Sequence, residues 1–242
     1  MSDLTGGAEG KTGDGHKHLA VVPAAPPPWD RARWAVVGLA AATVAAFAGS
    51  FFLPWWSFVL YAPQYPHGLK LVISLTGMGG DVAEIDVLNH YIGMAHLANA
   101  APTERQLAGY AVAAVALVMM ALALGAGRKL NRLVAIPAIA FPVGFIADSF
   151  YWLYTFGHRL DPKAPIRLGS FTPQMFGNGQ IGQFETYAEP SIGFWLATAG
   201  VVAIIAAAVI RTRICDNCHH AAKCSAACPR LMVLPERKER AS

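Results

Sequence analysis

Long apolar runs alternate along this chain with polar segments punctuated by proline and glycine. Residues 34–60 form the first run and carry no charge. Further runs cover residues 106–127, residues 133–156 with Asp148 as the one charge, and residues 191–210. A helix rises about 1.5 Å per residue, so about 20 apolar residues cross roughly 30 Å of hydrocarbon. The pattern therefore predicts an all-α membrane protein with four transmembrane helices over these runs.

The segments between the runs set the expected organisation. Residues 1–33, rich in Gly and Pro, read as a disordered leader that precedes an uncleaved anchor. Residues 61–105 and 157–190 are two long loops, 128–132 is a short turn, and 211–242 is a tail. Leader, turn and tail hold 14 of the 19 Lys and Arg residues. Basic residues stay on the cytoplasmic side, which places both termini there and both long loops outside the bacterial inner membrane. The loops are short enough to fold on the helix ends as one small cap. Only 14% of residues are charged, against about a quarter in a soluble domain. The net charge of +4 reflects this lopsided topology and not nucleic-acid binding.

Within the first loop, Leu71, Ile73 and Leu75 alternate with their neighbours and predict a short strand over residues 69–75. Gly77, Gly79 and Gly80 end it, and residues 81–97 have helical character. In the second loop Gly177-Asn178-Gly179 predicts a tight turn. Aromatic residues at Trp55, Trp56 and Phe58, and again at Tyr151, Trp152 and Tyr154, suit the outer membrane boundary. Pro137, Pro142 and Gly144 predict a kink in the third membrane helix.

Candidate chemistry gathers on the outer side. Leu88-Asn89-His90-Tyr91-Ile92-Gly93-Met94-Ala95-His96 packs two imidazoles, a thioether, a phenol and a carboxamide into nine residues. Such soft and borderline donors suit copper. His90 and Met94 are four apart and would share a face of a helix, with His96, His67 and His158 as further candidate ligands. The competing interpretation has these side chains hydrogen-bonding within an irregular cap. Asp148 lies about two turns from the outer end of the third membrane helix, where a carboxylate is expected to face a partner or a cavity. With Asn89 and Tyr91 it is a candidate support for a ligating histidine.

All four cysteines lie in the tail, at Cys215, Cys218, Cys224 and Cys228. Cys215 to His219 spells the pattern of c-type haem attachment, but that chemistry belongs outside the cytoplasm, so no haem is expected. The four thiolates, or three of them with His219 or His220, fit a tetrahedral zinc site. The closing Cys224-x3-Cys228-Pro229 also resembles the end of an iron–sulfur motif, although the spacing from Cys218 to Cys224 departs from it. A reduced tail with no fixed metal is the third alternative. No nucleophile–base pair, phosphate loop or paired carboxylates stand at catalytic spacing, so no enzymatic activity is expected; Glu84 and Asp86 read as solvated loop charges.

The segments Ala62-Pro63-Gln64-Tyr65-Pro66 with Gly68-Leu69, Leu88-Asn89-His90-Tyr91-Ile92-Gly93-Met94, and Gly157-His158 with Leu160-Asp161-Pro162-Lys163-Ala164-Pro165-Ile166 resemble those of a small bacterial membrane-protein family. This NosB-like family accompanies atypical (clade II) nitrous oxide reductase. The resemblance covers about residues 52–190 and does not extend to the Cys-rich tail. It implies an accessory protein in the bilayer that supports a periplasmic copper-dependent reductase, through copper handling, assembly or electron supply. Its implied partner is that enzyme or its assembly factors. The alternative is a structural or electron-transfer subunit of a membrane respiratory complex.

Overall fold

The structure, a computed structural model, describes residues 29–125, 133 and 135–216. Residues 1–28 of the expected leader (1–33), the turn 128–132 and most of the Cys-rich tail lie outside the described residues, and the leader's last five residues belong to the first helix.

The protein is mixed α/β. Among the described residues four long helices form a bundle: α1 (Trp29–Phe51), α3 (Pro102–Gly125), α4 (Ala135–His158) and α5 (Ile192–Asp216). A shorter α2 (Val82–Ile92) and a single 3-10 turn (Leu97–Asn99) lie in the first inter-helix segment. Five antiparallel strands make one sheet in the order β3-β2-β1-β5-β4. They are β1 (Trp56–Ala62), β2 (Tyr65–Ser74), β3 (Gly77–Gly80), β4 (Gly177–Ile181) and β5 (Phe184–Pro190).

The all-α expectation is thus overturned, and the reason is local. Pro54 ends the first apolar run as a helix, because proline donates no amide hydrogen to continue the ladder. The residues beyond it, Trp56-Ser57-Phe58-Val59-Leu60-Tyr61-Ala62, are aromatic and β-branched and pair as the central strand instead. Gly177-Asn178-Gly179 is likewise not a turn but part of β4. The reversal comes at Gly182, with φ of 59°.

The expectation of four membrane spans is also corrected. Three described helical segments are long and apolar enough to cross a membrane: Trp34–Phe51, Ile136–His158 and Ile192–Arg213. Helix α3 differs in its opening, where Thr103-Glu104-Arg105-Gln106 takes up a full polar turn.

The sheet is tied to the bundle through its middle. Helix α1 leads through Pro54 into β1, and β5 leads directly into α5, so the neighbours α1 and α5 continue upward as the neighbours β1 and β5. Trp56 pairs with Pro190 at the base of this ladder. There the Ser191 N–H donates to the Trp55 carbonyl at 2.9 Å and the Gly193 N–H to the Pro54 carbonyl at 2.8 Å. Trp55 and Trp56 are fully buried at this junction. Their indole N–H groups donate to the Ser50 carbonyl at 2.8 Å and the Met175 carbonyl at 3.0 Å. The pair that suggested a membrane-boundary belt is therefore interior.

Two apolar cores result. One lies inside the bundle around Phe47, Val112, Met119 and Ile204. The other lies beneath the sheet, where Leu69, Leu71 and Phe184 meet Ile85, Leu88 and Ile92 of α2 and Phe156 of α4.

Candidate functional site

Helix α2 buries Ile85, Leu88, Asn89 and Ile92, the spacing of one helical face. That face turns toward the sheet, which leaves His90 and Tyr91 exposed. Gly93 then closes the helix in the left-handed region, with φ of 78°, as glycine alone does at little cost. His90 and Met94 therefore do not share a helical face. Met94 is half-buried and packs on the apolar core beneath the sheet.

The remaining candidate ligands are dispersed. His67 is exposed on β2. His96 is exposed after the Gly93 turn, its Nδ1 3.6 Å from Asp86 Oδ2. His158 ends α4, where its ring stacks on Tyr154 at 3.9 Å and its Nδ1 lies 2.9 Å from the Tyr154 carbonyl. Among the described residues no three His, Cys, Asp or Glu side chains gather as a metal site. Cys218, His219, Cys224 and Cys228 lie outside the described residues, as does the side chain of Cys215.

The two inter-helix segments dock on one another. The Asp161 N–H donates to the Gly93 carbonyl at 2.8 Å, and the Ile166 N–H to the Tyr91 carbonyl at 2.9 Å. Asp86 is not a solvated charge: its carboxylate accepts the Leu97 N–H at 2.7 Å and caps the 3-10 turn.

The feature that sequence reasoning missed is a chamber of about 510 Å³ between sheet and helices. Its roof is the inner face of β1 and β2, and its walls come from α2, the start of α3 and the outer half of α4. The lining is overwhelmingly apolar. The polar exceptions include Asn89, Thr186, Asp148, Trp152, Glu104 and Arg105. Among the described residues, Asn89 Nδ2 and Thr186 Oγ1 are buried without a hydrogen-bond partner, and Trp152 Nε1 has the Asp148 carboxylate beside it. Two of the residues proposed to support a histidine, Asn89 and Asp148, thus face this chamber, while Tyr91 faces outward. The available signal was Asn89, a carboxamide at an apolar position of the α2 repeat.

No protein-family model matches the chain, and no curated protein shows significant sequence similarity to it.

Proposed function

We propose that the protein is a multi-pass inner-membrane accessory protein, without catalysis of its own, whose outer cap is the contact surface for a periplasmic copper-dependent enzyme of nitrous oxide respiration. The observation that carries this reading is the docking of Tyr91 and Gly93 on Ile166 and Asp161. The segments bearing the family resemblance, far apart in sequence, become one surface, and Tyr91 and Ile166 stand exposed on it at 48% and 42%. Exposed aromatic and branched side chains beside charged ones suit a protein contact.

The bundle supports the membrane part of the reading. Trp34, Tyr110 and Val202 are more than half exposed on its flanks, and such an apolar exterior is costly in water. The basic residues near the ends of the runs favour the inner membrane with the cap outside.

The test is co-purification of the full chain with the copper enzyme from cells expressing both, with metal analysis of the same samples. Loss of the enzyme from Tyr91→Ala and Ile166→Glu, with metal content unchanged, supports docking. Copper bound in proportion to protein and lost in His90→Ala would replace docking with copper delivery. Enzyme recovery equal in wild type and both surface variants would overturn the contact surface. A chain truncated after Arg213 assigns any zinc or iron to the tail.

A further inference from the structure

The chamber's size lies in the range of small-molecule sites. Its chemistry narrows what it fits. The buried Asn89 Nδ2 donor has no acceptor among the described residues, whereas the Trp152 indole N–H is shared with the Asp148 carboxylate one turn away. A buried donor such as Asn89 Nδ2 calls for an acceptor oxygen. Asp148, one turn before Trp152 on α4, and Glu104 at the rim bring two carboxylates to the same space. The nearby cation, Arg105, is committed elsewhere: its guanidinium donates to the Ala98 carbonyl at 3.2 Å and the Leu97 carbonyl at 3.1 Å. Two carboxylates against the one guanidinium leave the lining weighted toward negative charge, which disfavours a fatty-acid carboxylate or a lipid phosphate. A neutral head that accepts hydrogen bonds is favoured.

The walls also indicate a route. The chamber continues between α3 and α4, past Ala111 and Gly144, which are small and exposed at the bundle surface. An apolar tail leaving there enters the zone flanked by Tyr110 and Val143, exposed at 76% and 56%.

We propose that this chamber binds a prenylated quinone. A ring carbonyl oxygen accepts from Asn89. The Asp148 carboxylate is placed to accept a hydroxyl of the reduced form. The isoprenoid chain leaves between α3 and α4. This assignment is independent of the partner proposed above.

Full-length protein in detergent is titrated with menaquinone-2, and binding is followed by quenching of tryptophan emission, since Trp56 and Trp152 line the chamber. Saturable binding is expected in the wild type. Asn89→Leu, which removes the donor and keeps an apolar side chain, weakens it about tenfold. Gly144→Phe, which places a ring at the exit between α3 and α4, abolishes it; a Cβ at Gly144 itself meets nothing within 4 Å. Circular dichroism confirms that each variant is folded, and if Gly144→Phe is not, Asn89→Leu alone decides. No saturable binding in the wild type, equal binding in the folded variants, or displacement by oleate or dodecylamine at matching concentration would each overturn the proposal.

Discussion

Gly93 and Asp161 are joined at 2.8 Å by a single backbone hydrogen bond, and the contact leaves no room for a side chain on the glycine. A Cβ at Gly93 would sit 2.8 Å from both the nitrogen and the oxygen of Asp161. The position also has φ of +78°, where alanine is strained. Gly93→Ala therefore carries two penalties, about 1–2 kcal/mol for the dihedral and a further cost for displacing residues 161–164. The expected outcome is a lower thermal midpoint and faster proteolysis within residues 159–170, with the bundle retaining its helical signal. Unchanged proteolysis in this segment would show that the two segments are not locked together here.

Legibility in the sequence followed the strength of the local period. The alternation of Leu71, Ile73 and Leu75 announces β2, which runs from Tyr65 to Ser74, and the helical character of residues 81–97 announces α2, which ends sooner, at Ile92. Strand β1 was hidden because an unbroken apolar run does not distinguish strand from helix, and here it follows α1 after Pro54. Strand β5 did carry a signal: Phe184, Thr186 and Ala188 are buried while Glu185, Tyr187 and Glu189 are exposed. It lies within residues 157–190, whose place between two apolar runs reads as a loop. The chamber was not legible, because its walls come from strands and helices that meet only in three dimensions. His90 and Met94 do not lie on one helical face, because the left-handed turn at Gly93 ends α2 between them.

Asp86 tests the cap on its other side. Its carboxylate accepts the Leu97 N–H at 2.7 Å, and Leu97 is buried. Asp86→Ala leaves that N–H without its acceptor at a cost of about 1–3 kcal/mol. Asp86→Asn keeps a carbonyl oxygen in place and costs less. Hydrogen exchange at the Leu97 amide reads the difference directly: strong acceleration in the alanine variant, mild in the asparagine. Equal exchange in all three proteins would remove Asp86 from this role.

Tyr187 gives a pH signature on the outer face of β5. Its hydroxyl donates to Glu189 Oε2 at 3.0 Å. That bond, followed by the negative charge of Glu189, holds the phenol's pKa above its ordinary value. A folded pKa above the unfolded one gives stability that is present below the unfolded value and fades as pH rises through the folded one. The small gain therefore disappears above about pH 10. Absorbance titration of wild type minus Tyr187→Phe should place this tyrosine's ionisation above the ordinary range, and Glu189→Gln should bring it down. A titration that ignores Glu189→Gln would refute the pairing.

Two glycines of the same helix should answer alanine with opposite signs. Alanine normally improves a helix interior by about 0.5–1 kcal/mol over glycine. At Gly144 a Cβ meets nothing within 4 Å, so Gly144→Ala should stabilise α4 by that amount. At Gly157, in the last turn, a Cβ would overlap the Phe171 carbonyl oxygen. The same carbonyl-rich stretch is held there by the Phe171 N–H donating to the Gly157 carbonyl at 3.1 Å. Backbone cannot swing aside as a side-chain tip does, so Gly157→Ala must shift the whole 169–173 segment and cost about 2 kcal/mol or more despite its better propensity. Thermal unfolding in a single detergent compares the two directly. A rise in midpoint for Gly144→Ala with a fall for Gly157→Ala is expected. A rise at both would mean that the second segment does not pack on the end of α4 at all, and the chamber wall that depends on Phe156 would then need redrawing.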